Sequence, residues 1–256
     1  MPIVSIITPS FNCIEFIDET FNSILEQTLN DWEWIVTDDC STDGTYEYLL
    51  QKAALDSRII VYRNGSNSGA AVSRNNSIKH ATGRYIAFLD SDDLWENDKL
   101  KVQISFMSHN NIAFSYTDYS FLKESGEIID KARVLPVTLT YRQLLNENLI
   151  GCLTVMYDSR KLGKMYMPLI RRRQDYGLWL DILKTVPIAH KCPGILAKYR
   201  QRTSSVSSNK LKLLRYNFEL FYKHQNMPIH MASYYLFLNV FNKLFKKNKV
   251  KIQMDS

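Results

Sequence analysis

Three carboxylates fall within four residues at Asp90-Ser91-Asp92-Asp93, directly behind the apolar run Tyr85-Ile86-Ala87-Phe88-Leu89. Like charges at that spacing repel unless a cation sits among them. Carboxylate oxygens are hard ligands and select Mg²⁺ or Mn²⁺. Such an ion keeps several waters and takes one or two protein carboxylates, leaving room for substrate phosphates. A D-x-D at a strand end is therefore shaped for a metal–diphosphate. Alone it is a weak signal, because a solvated turn with Asp92 or Asp93 capping the next helix reads the same way. A second acidic pair, Asp38-Asp39, follows the run Trp34-Ile35-Val36-Thr37 in similar fashion. The five histidines, His80, His109, His190, His224 and His230, show no ligand spacing. Cys13, Cys40, Cys152 and Cys192 form no C-x-x-C pair, which argues against a zinc site or a disulfide framework.

Positioning these carboxylates requires a sheet. Val4 to Thr8 reads as a short strand ended by Pro9, and Phe16 to Leu29 carries apolar residues near helical spacing. Ser41 or Thr42 is placed to cap a helix running through Tyr46, Leu49 and Leu50. Ile59 to Tyr62 is a third strand. Asn67-Ser68-Gly69 turns into a helix over Ala70 to His80, which Gly83 stops before the strand Tyr85 to Leu89. This β-α-β-α order implies a parallel sheet with helices on both faces, and ligands bind such sheets beyond the carboxyl ends of their strands. After Leu100 the pattern turns helical. β-rich pieces follow at Ile112 to Tyr119, Cys152 to Tyr157 and Ile188 to Arg200, and Lys210 onward is mainly helical.

The 256 residues are enough for one α/β domain, expected over 1–208 with a nucleotide-binding half (1–100) and an acceptor-binding half (101–208). A basic amphipathic helical region is expected over 209–256. Of the formal net charge of +6, residues 210–256 hold +7 and the first 209 residues −1. The basicity belongs to the tail, so a nucleic-acid-binding core is not expected. The N-terminus reads as a buried strand rather than a signal peptide, and no apolar run approaches the ~20 residues that span a bilayer. Scattered free cysteines fit a reducing, cytoplasmic compartment.

Five segments then occur in a telling order: Val4-Ser5-Ile6-Ile7-Thr8-Pro9-Ser10-Phe11-Asn12, Asp38-Asp39-Cys40-Ser41-Thr42-Asp43, Asn67 to Asn75, Gly83 to Asp93, and Gln174-Asp175 ahead of Leu178-Trp179. Together they resemble the inverting glycosyltransferases of family 2, which have the GT-A fold, over about the first 200 residues. Tyr199-Arg200-Gln201-Arg202 to Ser207 is similar to bacterial members that build surface polysaccharides. The resemblance implies a UDP-sugar donor, a glycan or lipid-linked saccharide acceptor, and Mn²⁺ or Mg²⁺.

It also implies roles. Pro9, Ser10 and Phe11 match the loop that contacts the nucleotide, with Phe11 near the uracil or ribose. Asp39 matches the carboxylate that accepts from the uracil imide, with Asp38 structural. Arg74 matches the arginine that reaches base or diphosphate. Asp90 and Ser91 fall on the ribose side of the metal motif, Asp92 is the direct metal ligand, and Asp93 caps the next helix or supports the loop. Asp175 matches the base that takes the acceptor proton, although Gln174 stands where the family often has Glu. By their own charge rather than by the resemblance, Arg171-Arg172-Arg173 would bind acceptor phosphate or donor oxygens, or form a solvated loop. Arg202 stands where many relatives carry a metal-binding histidine. Arginine cannot ligate a metal, so it would pair with the diphosphate, within a Ser-rich stretch able to act as a lid.

Each role has an ordinary alternative: a core aromatic for Phe11, an Asx-turn for Asp39, an exposed helical arginine for Arg74, a helix-opening acid for Asp175. In the tail, Tyr234, Tyr235, Phe237, Leu238, Phe241, Leu244 and Phe245 recur at helical spacing before Lys246, Lys247, Lys249 and Lys251. Such a helix would lie on the anionic inner face of a membrane or pack on the catalytic domain. The rival readings are a non-catalytic sugar-nucleotide-binding module and a nucleotidyltransferase. The latter wants a Gly-rich phosphate loop near the first strand, which Pro9-Ser10-Phe11 does not offer.

Overall fold

The computed structural model describes residues 1–202 and 210–245. The first half runs β1 (Val4–Ser10), α1 (Ile14–Leu25), β2 (Trp32–Asp38), α2 (Thr45–Leu55), β3 (Ile59–Arg63), α3 (Ala70–His80) and β4 (Tyr85–Phe88). Then follow β5 (Leu94–Trp95), α4 (Lys99–His109), β6 (Phe114–Lys123), β7 (Ile128–Arg133), β8 (Thr138–Leu139) and α5 (Tyr141–Asn146). The chain continues through β9 (Met156–Asp158), α6 (Ser159–Leu162), α7 (Gln174–Thr185), β10 (Ala189–Gln201), α8 (Lys210–Glu219) and α9 (Ile229–Phe245).

All ten strands share one sheet, ordered β3-β2-β1-β4-β9-β6-β10-β5, with β7 on β6 and β8 on β10. The β3-β2-β1-β4 half is parallel throughout. Beyond it the sheet is mixed: β9 runs antiparallel to both β4 and β6, while β6 and β10 are parallel to each other. The mainly parallel sheet expected for this fold is thus parallel throughout its first half and mixed beyond it. β1 also runs through Pro9. Pairing with β4 stops at Ile7, so the missing N–H falls where only β2 flanks the strand.

The sheet is packed on both faces. Ile17, Phe21 and Ile24 of α1 pack with Trp32 and Trp34, while Ile78 of α3 and Trp179 of α7 cover the other side. Trp179 meets Phe88 edge-on at 5.3 Å and Phe114 at 5.8 Å. Gly83 turns into β4 against β1, where an added Cβ would lie 2.6 Å from the Ser5 nitrogen. Neither Ser41 nor Thr42 caps α2. The acidic loop after β2 delays the helix to Thr45, and Asp43 accepts from the Thr45 N–H at 3.0 Å and from the first N–H of α1, Ile14, at 3.0 Å. One carboxylate thus opens two helices. Against the burial that would raise it, these hydrogen bonds hold Asp43 below the ordinary carboxylate range.

Residues 220–242 join the same core. Leu220, Phe221, Ala232 and Tyr235 pack with Tyr176 and Leu178 of α7. Tyr141 donates to Gln225 at 2.8 Å, and Asn239 and Asn242 donate to the carbonyls of Leu145 and Asn146. Asp181 of α7 meets His224 at 2.6 Å and Gln225 at 3.0 Å.

One core group is energetically exposed. Lys99 opens α4 fully buried, its ammonium 3.7 Å from the Trp95 ring centroid and without a hydrogen-bond partner among the described residues. Burial drives it down from the ordinary 10.5 to about 7. The unfolded chain therefore binds this proton more tightly than the folded one, and its cost to stability grows as pH falls from 10.5 to 7 and is full below. Lys99→Met should be more stable than the parent at pH 7 by on the order of 2 kcal/mol, roughly 4–8 °C in Tm. Thermal unfolding from pH 6 to 10 checks this: the gain should shrink toward pH 10.

Candidate active site

Strands β1, β2 and β4 end at the same edge of the sheet and deliver Ser10, Asp38 and, two residues past Phe88, Asp90. Asp38 is fully buried. It accepts from the Ser41 N–H at 2.9 Å and the Ser10 hydroxyl at 3.3 Å, with Arg63 at 3.5 Å, so its carboxylate is spent on the loop. Asp39 reaches across to the turn before α3. It accepts from Asn64 Nδ2 at 2.7 Å and from the N–H groups of Ser68 at 2.8 Å and Gly69 at 2.7 Å. A carboxylate offers about four lone-pair positions. Three are taken here, which fixes the carboxylate's direction and leaves one position on the Oδ2 side. Gly69 has φ +88, a backbone conformation that side chains disfavour. Phe11 follows β1 at 49% exposure, an aromatic ring left open beside this loop.

Arg74, on α3, is buried and donates to the Asp90 carboxylate. Burial opposes its charge, but Asp90, together with Cys152 and Asp175, outweighs it and holds the guanidinium above its ordinary range. Its Nε has no hydrogen-bond partner among the described residues. Ser91 lies against Cys13. Burial keeps that thiol above its ordinary value, and hydrogen bonds with Ser91 and Thr45 offset this only in part, which makes it an unreactive floor rather than a nucleophile.

Asp92 keeps about a quarter of its side chain in solvent (26%) and meets Arg202 Nη1 at 3.2 Å. Burial first, and then Asp90, push its carboxyl above the ordinary range, with Arg202 opposing. Asp93 is buried and caps no helix. The residues after it, Leu94 and Trp95, pair with β10, so α4 starts only at Lys99 behind the N-cap Asp98. Asp93 instead accepts from the Arg200 N–H at 2.9 Å.

Arg200 is the contributor that the sequence did not single out. Its guanidinium is buried and donates to the Asp92 carbonyl at 2.8 Å, the Glu124 carbonyl at 3.1 Å and the Glu19 carboxylate at 2.9 Å. It clamps the backbone of the acidic loop while Arg202, two residues on, meets the Asp92 side chain, and both guanidiniums lie over the Phe16 ring, at 5.2 Å and 4.6 Å. The period of two along β10 puts Arg200 and Arg202 on one face. That was the available signal.

Asp175 occupies the first turn of α7, preceded by Arg173 in the left-handed conformation at φ 68. No described residue donates a hydrogen bond to its carboxylate, and it lies within electrostatic reach of Arg74 and Cys152. Arg172 sits 5.4 Å from the Tyr216 ring, and Arg171 contributes its carbonyl to Gln174. The structure thus brings Asp90, Arg74 and Asp175 into one electrostatic group, with Asp92 and Arg202 beside it.

Among the described residues, no group of three or more His, Cys, Asp or Glu side chains is arranged to hold a metal. The residues present fit an ion of another kind. Asp92 is a hard-oxygen donor, partly open to solvent, whose negative charge is under-compensated. That suits Mg²⁺ or Mn²⁺ completed by water and a diphosphate rather than a closed protein cage.

The carboxyl edge of the sheet, with its acidic loops and Asp175, thus forms one candidate site, and comparison with known proteins gives the family it belongs to. The sequence model described as "Glycosyl transferase family 2" matches residues 5–155. TuaG of Bacillus subtilis strain 168, a glycosyltransferase assigned to teichuronic acid biosynthesis, is 48% identical over 211 residues, 82% of this chain and 84% of TuaG. The Escherichia coli UDP-Glc:alpha-D-GlcNAc-diphosphoundecaprenol beta-1,3-glucosyltransferase WfgD is 42% identical, with 91% of each chain covered. Among solved structures, Staphylococcus aureus TarS 1–349 in complex with UDP-GlcNAc superposes with a TM-score of 0.69 at 19% identity, over 99% of this chain and 77% of that one. The Pyrobaculum calidifontis mannosyltransferase PcManGT with GDP-Man and Mn²⁺ does so with a TM-score of 0.67 at 19% identity, over 92% and 70%. The protein belongs to glycosyltransferase family 2 and has the GT-A fold. It is a glycosyltransferase, which leaves the nucleotidyltransferase and the non-catalytic module without support.

Proposed function

We propose that this enzyme transfers a sugar from a UDP-sugar to a hydroxyl of a lipid-linked saccharide, with inversion and with a divalent ion, in the assembly of a cell-surface polymer. The observation that carries the reading is the placement of two carboxylates with different surroundings. Asp92 is crowded by acids and arginines at the end of β4, and Asp175, at the head of α7, receives no hydrogen bond among the described residues. The first suits the donor side and the second the acceptor side.

Asp39 and the turn it holds receive the base, Phe11 covers it, and Pro9 and Ser10 line the strand end beneath. Asp90, oriented by Arg74, takes the ribose side with Ser91. Asp92 would hold Mn²⁺ or Mg²⁺, whose chemistry is to neutralise the departing diphosphate. Arg202 adds bidentate donors to the same phosphates. Asp175 accepts the proton of the attacking hydroxyl as the new bond forms. The Arg171-Arg172-Arg173 run lies directly before Asp175 and suits the phosphates of a lipid-linked acceptor. TuaG and WfgD are named for a surface polymer and for a diphosphoundecaprenol-linked acceptor, which supports that choice. A lipid-linked acceptor also puts the reaction at the cytoplasmic surface of a membrane.

The donor is tested by thermal unfolding with UDP-sugars and GDP-mannose, each with Mn²⁺ or with EDTA. At 100 times Kd a ligand adds about 2.7 kcal/mol to the folded state. A UDP-sugar with Mn²⁺ should therefore raise Tm by several degrees, and EDTA should cancel most of that rise. Equal protection by GDP-mannose would contradict the uracil assignment of Asp39.

A further inference from the structure

Helix α9 is apolar on two opposite faces. Its inward face buries Ala232 and Tyr235, and through Asn239 and Asn242 it is pinned to the carbonyls that end α5. Its outward face presents Tyr234, Phe237 and Phe241, exposed at 55%, 64% and 43%. The spacing i, i+3, i+7 puts these three on one stripe, and the rings of Phe237 and Phe241 stack at 6.0 Å. A helix on a protein surface ordinarily keeps that face polar. α9 also contains no Asp or Glu, and the sequence runs on through Lys243, Lys246, Lys247, Lys249 and Lys251 with no acid before Asp255. Aromatic side chains backed by lysine match the boundary of an anionic bilayer, where rings enter the headgroup region and ammonium groups meet lipid phosphates. A second copy of the chain is the rival occupant, and the oligomeric state distinguishes it.

We propose that the Tyr234–Phe237–Phe241 face docks this enzyme on an anionic lipid surface. No described helix is long and apolar enough to cross a membrane, so the attachment is peripheral. The inner face of α9 shares its core with α7, the helix that opens with Asp175. Docking therefore fixes the acceptor side of the site relative to the bilayer. The inference rests on the lipid-linked acceptor only for its use. Binding is measured without donor or acceptor, so the two ideas fail separately.

The test is co-sedimentation of the full chain with phosphatidylcholine vesicles, with and without phosphatidylglycerol, at low and high salt. The parent should pellet with the phosphatidylglycerol vesicles and much less with the neutral ones, and high salt should weaken the binding. The double variant Phe237→Ser/Phe241→Ser should lose about tenfold in partitioning while keeping its UDP and Mn²⁺ protection. A second variant, with Lys246, Lys247, Lys249 and Lys251 changed to glutamine, leaves every described contact in place and should lose the preference for phosphatidylglycerol. Unchanged pelleting of both variants would overturn the proposal. So would a parent that ignores vesicles but is a dimer which the double variant dissociates, since the face would then join two copies.

Discussion

Asp92→Asn should lower the rate of sugar transfer by about a thousandfold, equivalent to about 4 kcal/mol of transition-state stabilisation. The substitution keeps the shape of the side chain and removes the charge that would hold the ion against the diphosphate. It should leave the fold intact, because the loop is anchored elsewhere: Arg200 donates to the Asp92 carbonyl, and Asp93 accepts from the Arg200 backbone. Burial and Asp90 already disfavour the charged form of Asp92, so a neutral amide costs little stability there. The diagnostic result is a pair of measurements. Tm without ligand should match the parent, while the extra protection that Mn²⁺ gives a UDP-sugar should vanish. A variant that retains both Mn²⁺-dependent protection and turnover would remove Asp92 from the metal site.

Asp175→Asn should produce a comparable loss, about 10²- to 10⁴-fold in kcat, the range of a positioned general base. Its signature differs from that of Asp92→Asn. Affinity for the UDP-sugar and Mn²⁺ should change little, because no described hydrogen bond ties Asp175, on α7, to the residues proposed to hold the donor. Stability should fall only slightly, since a single acid in the first turn of a helix contributes about 0.3–1 kcal/mol. Steady-state kinetics with a lipid-diphosphate saccharide acceptor, paired with donor binding by calorimetry, separates the two effects. Wild-type kcat in Asp175→Asn would reduce this residue to the helix-opening acid that the sequence also allowed.

The first half of the chain was readable because its signals are local. The apolar run before Asp90, the Asn67-Ser68-Gly69 turn and the helix over Ala70–His80 each depend on neighbours in sequence, and the last has the bounds that the sequence predicts. The strand through Pro9 and the late start of α2 were harder. Both depend on what a distant strand or carboxylate does at that level, namely where β4 stops and where Asp43 points. Of the two roles open to Asp93, loop support rather than the helix cap is the one the fold uses, for the same kind of reason. Its successors Leu94 and Trp95 are claimed by β10, roughly a hundred residues later in the chain. Arg200 was hidden because its value lies in four partners from α1, the acidic loop and the β6–β7 hairpin, which only the fold assembles.

The tail shows the same limit. Tyr234, Tyr235, Phe237 and Leu238 look alike in sequence. Tertiary contacts with α5 and α7 decide that Tyr235 is buried while Tyr234 and Phe237 remain outside. Helical periodicity can group such residues into stripes, but it cannot say which stripe meets the protein.

The most direct test of inverting, Asp175-assisted transfer is the anomeric configuration of the product. ¹H NMR of the saccharide formed from a UDP-α-sugar and a lipid-diphosphate saccharide reads it from the anomeric coupling. A β-linked product is predicted. An α-linked product would contradict the single displacement and, with it, the role given to Asp175.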